Sequence, residues 1–167
     1  DITRIAHAMD LTPLKGAKVL LAGASGLLGT YIAYTFYYLN KEHGYGIHAD
    51  FITRNPITAK SSIISLTDDP NFKTIIRDIS APTTYDTAYD FIIHSAGYGS
   101  PRDFLLDPMR TIDVNYIGVK SMLEHMRDKN PNATFLYMSS SEIYGSPTAD
   151  NFPTQETYQG NVSVTNN

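Results

Sequence analysis

The chain has 167 residues, a hydrophobic fraction of 42% and a formal net charge of −4. That suits one domain with a real core. Charges are dispersed without a basic stripe, which argues against nucleic-acid binding, and no apolar run reaches the roughly 18 residues of a membrane span. Cysteine is absent, so disulfides and thiolate metal sites are excluded. His7, His43, His48, His94 and His125 show no ligand spacing, and no metal site is expected. No signal-like segment opens the chain, which sets a cytoplasmic expectation. The first residue is Asp1 rather than Met, so residues ahead of it are expected to be missing or processed.

Residues 1–15 read as an N-terminal helical extension with Ile2, Ile5, Ala6 and Met9 on one side, closed off by Pro13 and Gly16. The apolar run Val19 to Ala22 predicts a short buried strand. It leads into Gly23-x-x-Gly26-x-x-Gly29 and a helix-like segment, Leu27 to Leu39. A strand, three glycines at spacing three and a helix make the strand–turn–helix that cradles a dinucleotide pyrophosphate. Gly23 permits the tight turn, Gly26 lets phosphate approach the backbone, and Gly29 lets the helix pack closely. The candidate phosphate-contacting residues are Gly23, Ser25, Gly26, Leu27, Leu28 and Gly29, with the N–H groups at the helix start facing the anion. A nucleoside-triphosphate P-loop competes poorly, because no Gly-Lys-Ser/Thr follows.

A second strand is expected over Ala49 to Thr53. An acidic residue at its end would hold the ribose hydroxyls, but the chain reads Thr53-Arg54-Asn55. Arg54 either meets a 2′-phosphate, which favours NADP over NAD, or is a surface arginine at a strand end. Residues 56–72 read as loop plus a short helix, and Thr74 to Arg77 as the third strand. Asp78 and Ile79 then either flank an adenine or simply end the strand. A short connection through Pro82 leads to the fourth strand, Tyr89 to His94. The small residues Ser95, Ala96 and Gly97 at its carboxyl end would admit a cofactor. A long helix is expected over Pro108 to Arg127, with Ile112, Tyr116, Val119, Met122, Leu123 and Met126 read as core. The fifth strand is Thr134 to Met138, and the tail from Ser146 reads as loop. The architecture expected is α/β, a Rossmann-type doubly wound parallel sheet, incomplete at strands one to five. Residues 16–146 form the dinucleotide-binding domain and residues 147–167 a loop.

Gly23-x-x-Gly26-x-x-Gly29, His94-x-Ala96-Gly97, Asn115 and Ser139-Ser140-Ser141-Glu142-Ile143-Tyr144-Gly145 together resemble the extended short-chain dehydrogenase/reductase family. Ser141 to Gly145, with Gln155 to Val162, Asp78-Ile79, Pro82 and His94 to Pro101, is similar to the UDP-glucuronate decarboxylase subgroup. The chain departs from that subgroup at Thr53-Arg54, at Ser140 in place of Thr, and over Ser163 to Asn167.

The resemblance implies NAD as cofactor, with NADP admitted by Arg54, and a nucleotide-sugar substrate, a UDP-sugar favoured. It implies epimerase, dehydratase or decarboxylase (lyase) chemistry through an oxidoreductase hydride step, and a homodimer built through the long helix. Ser140 would hydrogen-bond the reacting oxygen, and Ser141 and Glu142 would serve later proton transfers. Asn115 would support the site from the helix. The same family uses a Tyr-x-x-x-Lys pair after the serine motif. The two matches in this chain, Tyr37/Lys41 and Tyr116/Lys120, both precede that motif and are read as chance. The chain is therefore expected to stop short of the pair and of the substrate domain, and to be inactive alone. Two further readings stay open: a non-catalytic NAD(P)-binding module, and an NADPH-dependent ketoreductase.

Overall fold

A computed structural model describes residues 1–160. Asn161, Val162 and the Ser163 to Asn167 run lie outside the described residues. Residues 1–137 form one compact unit and the chain from Met138 a second. The first is built of α1 (Ile2–His7), β1 (Lys18–Ala22), α2 (Leu27–His43), β2 (His48–Thr53), β3 (Phe72–Ile76), β4 (Phe91–His94), α3 (Pro101–Leu106), α4 (Pro108–Lys129) and β5 (Thr134–Tyr137). The strands form one sheet in the order β3-β2-β1-β4-β5, with all four pairings parallel. This is the expected doubly wound, Rossmann-type α/β sheet of five strands.

β1 is central, with β2 on one side and β4 on the other. Helices and loops cover both faces of such a strand, which is why Val19 to Ala22 is an unbroken apolar run, fully buried. Because the chain winds outward from β1 to β3 and then crosses to β4, the strand order reverses beside β1. A crevice opens there at the carboxyl ends of the strands. Asn40 near the end of α2 fixes the entry to β2: its amide donates to the Ile47 carbonyl at 2.9 Å, and its carbonyl accepts from the Ile47 N–H at 2.7 Å.

Several expectations are modified. The pattern over residues 1–15 forms α1 and a separate 3-10 turn, Thr12–Leu14, with no buried residue in either. Asp10 accepts from the Thr12 N–H and hydroxyl, and Pro13 follows, so the helix cannot run through. The β3–β4 crossover is the short connection expected, without a helix. Tyr85 and Tyr89 supply its burial, their rings lying 5.3 and 5.6 Å from that of His125 on α4.

α4 has the expected span, but only one face meets the sheet, through Gly118, Ser121, Met122 and His125. Ile112, Tyr116 and Leu123, read as core from their spacing, are exposed. The apolar stripe wraps further round the helix than one sheet face can cover. Among the described residues no helix is long and apolar enough to cross a membrane, and no cluster of His, Asp and Glu could hold a metal ion.

Candidate functional site

The crevice beside β1 is a cavity of about 260 Å³. Gly23, Ser25 and Gly26 line it from the β1–α2 turn, Arg54 from the end of β2, and Asp78 and Ile79 from the end of β3. Ser95, Ala96 and Gly97 close it after β4. The sequence thus places residues from four strand ends around one pocket. Of the other candidates, Leu27 and Leu28 lie exposed in the first turn of α2, and Gly29 is buried behind the turn.

The turn is shaped by close backbone approach. At Gly23, with φ +83°, a Cβ would stand 2.7 Å from the Ser95 and Ala96 backbone. At Gly29 it would stand 2.1 Å from the Gly23 carbonyl oxygen. Neither position tolerates a side chain, so β1, the turn, α2 and the end of β4 are packed backbone to backbone. Gly26 is the N-cap of α2. No side chain caps that terminus and no acidic residue lies in its first turn. Its first N–H groups and the positive end of the helix dipole are left for an anion. Ser95 is held in place: its N–H and hydroxyl both donate to the Ala22 carbonyl, at 3.0 and 2.8 Å.

At the other end, Asp78 accepts from the Ser80 N–H and hydroxyl and pairs with the Arg110 guanidinium of α4. Burial opposes its ionisation, but those hydrogen bonds, with Arg110 and Arg54 nearby, hold its pKa below the usual carboxylate value. His94, the last residue of β4, is buried under this wall. Its Nε2 lies 3.1 Å from the Val114 carbonyl, which can only accept, so Nε2 carries the proton. Burial holds its pKa down despite that hydrogen bond.

Asn115 does not line the pocket, although its neighbour Val114 does. Its amide donates to the Thr111 carbonyl and its carbonyl oxygen accepts from the Tyr137 hydroxyl, each at 2.8 Å, which ties α4 to the end of β5. Asn115 also lines a shallow groove on α4 with Tyr116 and Lys120. Neither chance Tyr-x-x-x-Lys match touches the pocket. Lys41 pairs with the buried Asp69 carboxylate at 3.2 Å, and Lys120 lies 3.8 Å from Glu124. Sequence reasoning missed seven pocket-lining residues, among them the polar side chains of Arg77, Tyr98 and Arg110.

In the second unit, Ser140 caps the 3-10 helix Ser141–Tyr144, its hydroxyl accepting from the Glu142 N–H at 3.2 Å. Ser140, Ser141 and Glu142 are all exposed. Tyr144 packs near Tyr158, ring centroids 6.3 Å apart.

A family model described as the NAD dependent epimerase/dehydratase family matches residues 19–167. UDP-glucuronic acid decarboxylase 1 of Arabidopsis thaliana is 30% identical over 149 residues, covering 89% of this chain and 32% of that protein. The Danio rerio protein of the same name is 28% identical over 146 residues, covering 87% and 32%. The chain thus spans about a third of the length of these curated relatives. Among solved structures, UDP-glucose-4-epimerase from Stenotrophomonas maltophila, with bound NAD and formylated UDP-arabinopyranose, matches with TM-score 0.64 at 19% identity, over 86% of this chain and 42% of that one. A dTDP-glucose 4,6-dehydratase double mutant from Streptomyces venezuelae, with NAD bound, matches with TM-score 0.63 at 15% identity, over 77% and 41%.

Proposed function

The chain belongs to the NAD-dependent epimerase/dehydratase family, and from that premise we propose that it is the cofactor-binding part of an enzyme acting on nucleotide sugars, UDP-sugars favoured. The observation that carries the proposal is the uncapped start of α2 behind the Gly23–Gly29 turn, opening into a crevice walled by Ser95, Ala96 and Gly97. A dinucleotide is the ligand whose pyrophosphate fits that terminus and whose length fits a crevice running from it to the ends of β2 and β3. When bound, the nicotinamide supplies hydride chemistry at a sugar carbon.

The chain's own residues bind and orient. N–H groups of the Ser25–Gly29 turn take the phosphates, Asp78 and Ile79 border the adenine end, and Asn115 braces α4 against β5. In the second unit, Ser140 is assigned to hydrogen-bond the reacting oxygen, and Ser141 and Glu142 to later proton transfers. The subgroup supported by the relatives is UDP-glucuronate decarboxylation, a lyase reaction.

Calorimetric titration of the purified protein with NAD and NADP tests the cofactor part. One-to-one binding of at least one of them is expected, and binding of neither overturns it. Product analysis of the full-length protein with UDP-glucuronate tests the substrate part; failure to alter any nucleotide sugar while the dinucleotide still binds leaves a non-catalytic module instead. The exposed Ile112, Tyr116 and Leu123 support a homodimer formed through α4. Sedimentation equilibrium of the full-length protein is expected to give twice the monomer mass, and a monomer at micromolar concentration refutes that contact.

A further inference from the structure

The crevice is bridged at its mouth. Arg54 follows the end of β2, Tyr98 stands just past the end of β4, and both line the pocket. β2 and β4 flank β1 on opposite sides, with Ala22 opposite Ile52 on one and His94 on the other. Two strand spacings, roughly 10 Å, therefore separate the walls from which the two residues come. Their side chains nevertheless meet: the Arg54 guanidinium carbon lies 5.9 Å from the centre of the Tyr98 ring, within reach of a cation–π contact. The bridge crosses the space beyond Ala22, where the Gly23–Gly26 turn opens into the crevice.

The ring is what holds the Arg54 side chain. Among the described residues that side chain makes no hydrogen bond or ion pair, and it feels the Asp78 carboxylate only through space. Tyr98 is half-buried and sits in Gly97-Tyr98-Gly99, between β4 and α3. Gly97, at φ +157°, takes a conformation that favours glycine. Gly99 does not: its φ is not positive, and a Cβ there would meet nothing within 4 Å. Neither packing nor backbone conformation calls for a glycine at that position. What two glycines around one aromatic residue supply is a pivot, on which the ring swings away from the pocket mouth. The cavity beneath, about 260 Å³, falls below the roughly 300–1,000 Å³ of small-ligand pockets, so a dinucleotide enters only if the mouth widens.

Resting on the dinucleotide reading of this pocket, we propose that Arg54 and Tyr98 form a strap across the crevice, which opens to pass the dinucleotide, closes over it, and so governs the rate of cofactor exchange. The ring on its glycine pivot is the moving half, and the guanidinium is the catch. The contact is made between the protein's own residues, so it forms with or without a dinucleotide beneath it. Such a strap slows entry and exit alike and leaves the dissociation constant nearly unchanged. A residue that merely touched the dinucleotide would slow exit alone.

The test is stopped-flow fluorescence of the protein with NADH and with NADPH, which gives association and release rates separately. Tyr98→Ala is expected to raise both rates by about three- to tenfold, the range of a partly exposed cation–π contact, and to move the dissociation constant by less than about twofold. Tyr98→Phe keeps the ring face and is expected to match the parent. Arg54→Ala is expected to raise the association rate as Tyr98→Ala does, and the double variant to go no further, because a strap opened from one side is not opened again from the other. Melting curves confirm that each variant is folded; were Tyr98→Ala to unfold, Arg54→Ala decides by the same criterion. Rates equal to those of the parent overturn the strap and leave the cofactor reading intact. Faster release with unchanged association also overturns it, making Tyr98 a simple contact. Single effects that multiply in the double variant overturn it too. Binding of neither dinucleotide overturns the pocket reading, and the strap with it.

Discussion

Gly29→Ala is expected to destabilise the protein by about 3 kcal/mol, the upper part of the usual range for overpacking. In an ordinary helix interior the same change would stabilise by about 1 kcal/mol, because alanine is the better helix former. Geometry decides between the two. The new Cβ would lie 2.1 Å from the Gly23 carbonyl oxygen and 2.8 Å from the Ala24 Cα, where ordinary contact begins at 3.4 Å. Both neighbours are backbone, so no side chain can swing aside. α2 would have to move off the turn by an ångström or more, along its whole contact with β1.

Gly26→Ala makes the informative contrast. Its Cβ would meet only the Gly23 carbonyl oxygen, at 3.2 Å, and Gly26 has φ −75°, open to any residue. Its cost in stability is expected to stay within about 1 kcal/mol, while dinucleotide affinity falls at least about tenfold, because a methyl group then occupies the path of the phosphates. Urea midpoints and calorimetric affinities separate the two effects. A Gly29→Ala protein as stable as its parent refutes the packing argument. A Gly26→Ala protein with undiminished affinity removes the turn from the binding site.

The part of the site most legible in the sequence is the part whose requirements are local. Val19 to Ala22, the glycines at spacing three and the start of α2 are one continuous segment, so strand, turn and helix can be read off together. Ser95, Ala96 and Gly97 are legible for a similar reason: small residues at the end of an apolar strand. Arg77 is not, because what matters is its neighbour across the sheet, and the register Thr53 to Ile76 is a property of two strands rather than one. Arg110 is hidden the same way, since its partner Asp78 lies on another element.

On α4 the spacing of Ile112, Tyr116, Met122 and Leu123 announces a helix correctly, yet periodicity says which residues share a face, not which face another element covers. Met122 is buried and Tyr116 exposed for that reason alone. α3 escaped notice because its six residues make under two turns. Its apolar Phe104, Leu105 and Leu106 are consecutive, so they spread round the helix instead of marking a side.

Lowering the pH below 6.5 is expected to destabilise the protein through His94, and a His94→Leu variant is expected to lose that dependence. The His94 ring is buried under the pocket wall with its Nε2–H on the Val114 carbonyl, and its Nδ1 has no hydrogen-bond partner. Protonation would place a second N–H and a full charge in a buried site, at an Nδ1 that has no partner. Burial therefore depresses the folded-state pKa below the ordinary value of 6.5, outweighing the opposing hydrogen bond to Val114. The unfolded chain takes up a proton near 6.5 and the folded chain does not. Below that pH the unfolded state holds the extra proton, so the stability present above 6.5 is lost as pH falls toward the folded value.

The slope approaches about 1.4 kcal/mol per pH unit while one proton separates the two states. Asp69 and Asp78 act in the same direction, but their depressed values place their windows below 3.8, clear of this one. His94→Leu removes the Nε2–H and costs stability at every pH, but it removes the titration as well. The quantity to compare is therefore the difference in urea-unfolding free energy between parent and variant from pH 8 to pH 5. A difference that is level above 6.5 and narrows steadily below it identifies His94 as the group responsible. A difference that stays flat to pH 5 would mean the ring accepts its proton in the folded state as readily as in the unfolded chain, and would refute the argument from burial.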